Sequence, residues 1–272
     1  MTPMPLLEMI SYPFMQRALI SGVLLGVLLA YLGIFVTLRK MAFFGDGIAH
    51  SSLAGIAVAV LAGWAPLPVA LALALSIALL IFWLERSTRL PTDTLIGIFF
   101  TASMALGVLL MSFSSGYQPE LVSFLFGSIL AIQNTDLIIT ALVGGAIVAW
   151  LGLSFRSLTY MSLAEDNAAV AGVNIRLHTA ALYAALALAT VLGVKILGVV
   201  LVSALLILPA ATSRLLTRSF RSYTIGSLIL AEVMIIGGLL FSFRYDLPSG
   251  ATIVLIGTTL FFLAAIARRL AR

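Results

Sequence analysis

Two residues able to do chemistry stand at the mouth of, or inside, a stretch that otherwise reads as a membrane-spanning helix. They are Asp46 and His50, in the run FFGDGIAHSSLAGIAVAVLAG over residues 43–63. A carboxylate near the centre of a bilayer costs roughly 2.5–3.5 kcal/mol on insertion scales, so it is kept there by a partner or a wet cavity. The spacing of four places the carboxylate and the imidazole on one face of an α-helix, close enough to touch a single ion. One oxygen donor and one nitrogen donor suit a divalent transition metal. The competing reading is a pair of polar side chains hydrogen-bonded to neighbouring helices, and chemistry alone leaves both open.

The elements that must hold this pair follow from composition. Hydrophobic residues make up 62% of the 272, charged residues 9%, and the mean hydropathy is +1.20, against roughly 25% charged residues in a soluble domain. The expectation is an all-α, polytopic transmembrane bundle forming one domain over residues 1–272. Residues 1–16 hold Glu8, three prolines and no basic residue before Arg17, which does not read as a cleavable signal peptide. The excess of five positive charges lies at the ends of apolar stretches, so it reports membrane orientation and not nucleic acid. With no cysteine, disulfides, thiolate metal sites and cysteine nucleophiles are excluded.

A span needs about 20 mostly apolar residues. Segments of that kind cover 18–38, 47–63, 67–84, 94–113, 134–154, 178–194, 197–213, 224–243 and 250–267, nine in all, with eight an equal reading. Gly193, Lys195 and Gly198 interrupt the stretch 178–213, which reads either as a broken helix or as a tight turn between two spans. Residues 114–135 are too short and polar to span and read as a re-entrant or interfacial helix. If the segments alternate, Arg39, Lys40, Arg86, Arg89, Arg156, Arg176, Arg214, Arg218, Arg221, Arg268, Arg269 and Arg272 share one side, which is then the cytoplasm.

Further polar residues need an account. Glu232 sits mid-span in SLILAEVMIIGGLLF, where a lone carboxylate must face protein, water or a polar neighbour. It is a second candidate for an ion pathway, with interhelical hydrogen bonding the alternative. Lys195 reads as a snorkelling or turn residue. Gly22 and Gly26 have the GxxxG spacing of a helix interface, and Pro209 interrupts an apolar run whose freed carbonyl needs another donor. No GxxxxGK[ST] phosphate loop occurs, so ATP hydrolysis is not expected on this chain, and two distant histidines exclude an H-E-x-x-H metalloprotease.

Four motifs in order resemble the metal-ion permeases of bacterial ATP-binding-cassette importers, which take up zinc, manganese or iron. MAFFGDGIAHSSLAGIA (41–57) is similar to that family's aromatic-Gly-Asp-x-x-x-His-x-x-x-x-Gly pattern. WLERSTRLPTDTLIGI (83–98), GVVLVSALLILPAATSRLL (198–216) and GLLFSFRYDLPSGATIVL (238–255) complete the match. The Trp-Leu-Glu loop at 83–85, the span start at 93–98 and FLFGSILAI at 124–132 resemble the zinc permeases most. Ser128 departs from them, because they commonly carry Asp there, and this keeps manganese and iron open.

The resemblance implies a type II-like permease of the bacterial inner membrane, working as a homodimer. It also implies separate ATPase subunits and an extracytoplasmic metal-binding protein as partners, with membrane lipid around the bundle and no nucleic acid. Asp46 and His50 become metal-passage residues, and two copies about a two-fold axis would offer two Asp and two His to one ion. No cofactor is bound permanently; the metal is cargo. The loop 162–174, SLAEDNAAVAGVN, resembles the short helix that docks into an ATPase groove, with Glu165, Asp166, Ala168 and Gly172 its expected coupling residues. Gly45, Gly55, Pro209, Pro248 and Gly250 are expected to be structural. The rival class is a self-powered secondary transporter or channel using Asp46, His50 and Glu232 as relays, which has no need of a docking helix.

Overall fold

The computed structural model describes residues 11–113 and 132–270. Residues 114–131 of the expected re-entrant segment, Ser128 among them, therefore lie outside the described residues, and its last two residues, Asn134 and Thr135, belong to a long helix. Among the described residues ten helices follow one another: α1 (Pro13–Leu38), α2 (Phe44–Ala62), α3 (Pro66–Thr88), α4 (Thr92–Met111), α5 (Asn134–Leu163), α6 (Glu165–Val170), α7 (Ile175–Leu197), α8 (Val199–Leu216), α9 (Phe220–Tyr245) and α10 (Ser249–Leu270). All but α6 are long and apolar enough to cross a membrane, which makes nine spans among these residues.

Local chemistry sets the helix ends. α1 and α3 open with proline in the first turn, where its missing N–H costs nothing. α5 opens with Gln133 and Asp136 capping each other's backbone. The Trp-Leu-Glu triplet expected in a loop is helical, because α3 runs on to Thr88 and stops only where Arg89 turns left-handed at φ 59°. The interruption in 178–213 is a single residue, Gly198, at φ 83° and ψ 161°, a backbone conformation open to glycine alone. Gly198 and its neighbours Leu197 and Val199 are buried, so α7 and α8 meet inside the protein and not in a solvated turn.

α1, α2 and α7 are the most enclosed spans, and α4, α5 and α10 the least. α2 packs between α3 and α4; α8, α9 and α10 pack on one another, and α8 and α9 also pack on α1; α7 joins the two groups through α3 and α1. Gly22 and Gly26 make the α1–α9 contact, where a Cβ on Gly22 would sit 2.8 Å from Ile235. Gly33 lets α1 lie directly against the Leu206 backbone of α8, whose carbonyl oxygen a Cβ would strike. Gly33→Ala should therefore lower stability by about 1–3 kcal/mol, the usual cost of overpacking a rigid contact. Gly237→Ala, where a Cβ meets nothing, should be near neutral. Thermal unfolding of the two detergent-solubilised variants beside wild type measures the difference.

Candidate metal-passage site

α2 begins inside the bundle. Its first residue, Phe44, is fully buried and packs on Tyr183 of α7 with ring centroids 5.1 Å apart. Asp46 follows in the first turn, where unpaired backbone N–H groups favour an anion. The start of α8 comes to meet it, and the Ser203 hydroxyl donates a short hydrogen bond to Asp46 Oδ1. Gly45 makes this approach possible, since a Cβ there would lie 2.6 Å from Leu206 Cδ1.

His50 stands one turn further along α2. Its ring meets Phe100 of α4 edge to face at 4.8 Å and 83°, and its Nδ1 is buried with no hydrogen-bond partner. A ring nitrogen without a donor or acceptor is available as a ligand. Phe100 also lines an open apolar groove of about 590 Å³ along α4, together with Thr101, Met104 and Val108. Among the described residues no three His, Cys, Asp or Glu side chains gather into a ligand set. One copy of the chain thus offers a carboxylate, an imidazole and the Ser203 hydroxyl.

Glu232 is elsewhere. It faces α1, where a Cβ on Gly26 would fall 2.8 Å from its Oε1, and both its oxygens are buried without hydrogen-bond partners. It does not join Asp46 and His50 in a group of three.

At the basic end of the bundle, α6 is a single short helix between α5 and α7. Glu165 and Asp166 occupy its first turn and are exposed, while Ala168 is fully buried and turns inward. Val170, 91% exposed, is the apolar tip that faces away from the protein. Gly172, at φ 81°, turns the chain into α7, whose start is capped by the Asn174 side chain accepting from Leu177 N–H.

The expected structural residues divide. Gly55 is a close-approach position, with a Cβ 3.0 Å from Ala70 Cα; Pro209 lies buried within α8; the Pro248 carbonyl accepts from both the N–H and the hydroxyl of Thr252 at the start of α10. Gly250 is not crowded, since its Cβ would meet only Leu197 O at 3.9 Å. Lys195 does not snorkel alone: its Nζ pairs with Asp136 Oδ1 at 2.5 Å and ties α7 to α5. Sequence reasoning missed Ser203 and the Asp136 partner, and it placed Glu85 in a loop where the structure has it on α3.

A nine-span bundle with a buried α7–α8 junction and an Asp–His pair on one helix has the build of a membrane permease. The sequence profile of the ABC 3 transport family matches residues 11–268, and the chain belongs to that family of ABC transporter permeases. It is 35% identical over 251 residues to the high-affinity zinc uptake system membrane protein ZnuB of Haemophilus influenzae, covering 92% of this chain and 96% of that one. It is equally 35% identical, over 257 residues, to the manganese transport system membrane protein MntC of Halalkalibacterium halodurans, covering 94% and 88%. The solved structure of PsaBC from Streptococcus pneumoniae in complex with a Fab superposes with a TM-score of 0.82 at 30% identity, covering 95% of this chain and 93% of that one.

Proposed function

We propose that this permease passes divalent metal ions, zinc foremost, from an extracytoplasmic binding protein to the cytoplasm of a bacterium, across the inner membrane. Asp46 and His50 are its transient ligands, and separate ATPase subunits drive it. The observation that carries the reading is the half-buried Asp46–His50 pair, with a buried, unpartnered ring nitrogen, held where two helices begin inside the bundle. Two ligands make a site weak enough to release its ion, as conduction requires. A second copy seated along the α4 groove, which Phe100 shares with His50, would bring a second pair and approach tetrahedral coordination.

Zinc is favoured because one oxygen and one borderline nitrogen per copy suit it, and because a given site binds zinc above manganese or iron. Manganese is the second reading, supported by the relatives described as manganese transport proteins. Growth of a strain lacking the permease separates them. Complementation should restore growth under a zinc chelator; restoration only under manganese limitation would replace zinc with manganese.

A further inference from the structure

The basic end carries a set of polar contacts that metal passage does not use. Arg39, at the end of α1, is five residues ahead of α2. Its guanidinium donates from Nη1 to Thr179 Oγ1 of α7 at 3.3 Å and lies 3.9 Å from Glu165 Oε2 on α6. One turn further along α7, Tyr183 is fully buried. Its ring packs on Phe44, two residues before Asp46, and its hydroxyl donates to Glu85 Oε2 at 2.8 Å. The other Glu85 oxygen accepts from Thr92 Oγ1, at the start of α4, at 2.5 Å. α4 in turn carries Phe100, against which His50 rests.

We propose that Arg39, Tyr183 and Glu85 are positioning residues that carry movement of α6 to Asp46 and His50, so that the state of the ATPase sets the geometry of the metal ligands. The inference rests on α6 docking to the ATPase, which the resemblance of the loop 162–174 implies. Two routes leave α6. One runs through Glu165 to Arg39 and the short link into α2. The other runs through the chain itself, over Gly172 and Asn174 into α7, and then through Tyr183 to Phe44. Glu85 closes both: it holds the end of α3, the start of α4 and α7 on one carboxylate. Each of its oxygens has its own hydroxyl donor, so a shift of α7 pulls on α4 as well as α2. The ligand pair is thereby gripped from both sides, Asp46 through Phe44 and His50 through Phe100. A buried side chain in close-packed surroundings transmits such a shift because its neighbours cannot yield without it.

Tyr183→Phe isolates the idea, since it keeps the ring on Phe44 and removes only the hydroxyl. The variant permease, purified with its ATPase and reconstituted into proteoliposomes, is assayed for zinc ions moved per ATP hydrolysed and for zinc bound at equilibrium. The expected result is a roughly tenfold fall in zinc moved per ATP, in line with the loss of a hydrogen bond to a charged group, while assembly and zinc binding stay intact. Arg39→Ala should give the same split, and Arg39→Lys should restore part of the coupling. Wild-type coupling in both Tyr183→Phe and Arg39→Ala would overturn the proposal, as would loss of zinc binding in step with transport. Asp46→Ala run in parallel keeps the two readings apart. If it stops transport while Tyr183→Phe leaves coupling intact, the relay alone fails; if it too transports normally, metal passage through Asp46 fails.

Discussion

Asp46→Ala is expected to abolish zinc uptake, with a fall of more than about 100-fold, because even the outer partners of a metal ligand are worth roughly 10–100-fold in affinity. His50→Ala should do the same. Neither should harm the fold. The Asp46 carboxylate accepts from the Ser203 hydroxyl, and His50 leaves Nδ1 unpaired. Removing the carboxylate from the first turn of a span makes insertion easier, by at most about 2.5–3.5 kcal/mol, the figure for a charge at the helix centre. Ser203→Ala should fall between wild type and these variants, since it frees the carboxylate without deleting it. Radioactive zinc and manganese uptake by cells carrying each variant, with membrane levels checked by immunoblot, measures all three. Wild-type uptake of both metals by Asp46→Ala and His50→Ala would make the pair a structural contact between α2 and its neighbours.

What the sequence made legible follows from which forces act locally. Each span announces itself, because about 20 apolar residues in a row have no other solvent to choose, and the nine segments found that way correspond to the nine long helices among the described residues. The Asp46–His50 pair was visible because a charge in such a run is costly, and spacing along one helix needs no tertiary knowledge. Partners from elsewhere in the chain were not visible. Ser203 is 157 positions from Asp46 and Asp136 is 59 from Lys195, and one serine in an apolar run carries no cost that would mark it. Glu85 was misplaced for a related reason. The polar residues Glu-Arg-Ser-Thr after Trp83 read as a loop, yet they continue α3 because Glu85 finds hydroxyl donors on two other helices. Gly198 was ambiguous on its own, since a glycine permits a positive φ in a surface turn and in a buried junction alike. Packing of Gly193 on Val202 and Leu29 decides for the junction.

Ala168→Pro should uncouple the permease from its ATPase. The Ala168 N–H donates to Ala164 O at 3.0 Å, and its carbonyl accepts from Val173 N–H at 3.0 Å, so this residue joins both ends of α6. Proline removes the first bond and clashes with the preceding turn, at a cost of about 3 kcal/mol, and a six-residue helix has no further turns to absorb that. Because Ala168 is fully buried, the ring also has no room, and α6 should come away from the body of the protein. A companion variant keeps loss of the helix distinct from loss of its docking surface. Val170→Asp places a charge on the exposed tip, 91% open, and leaves the buried side of α6 untouched. Both variants should fail to co-purify with the ATPase and should show no metal-stimulated ATP turnover, while Val170→Asp alone keeps the thermal stability of wild type. Normal metal uptake by either variant would mean that energy does not enter through α6, and would favour a self-powered cation transporter built on Asp46 and His50.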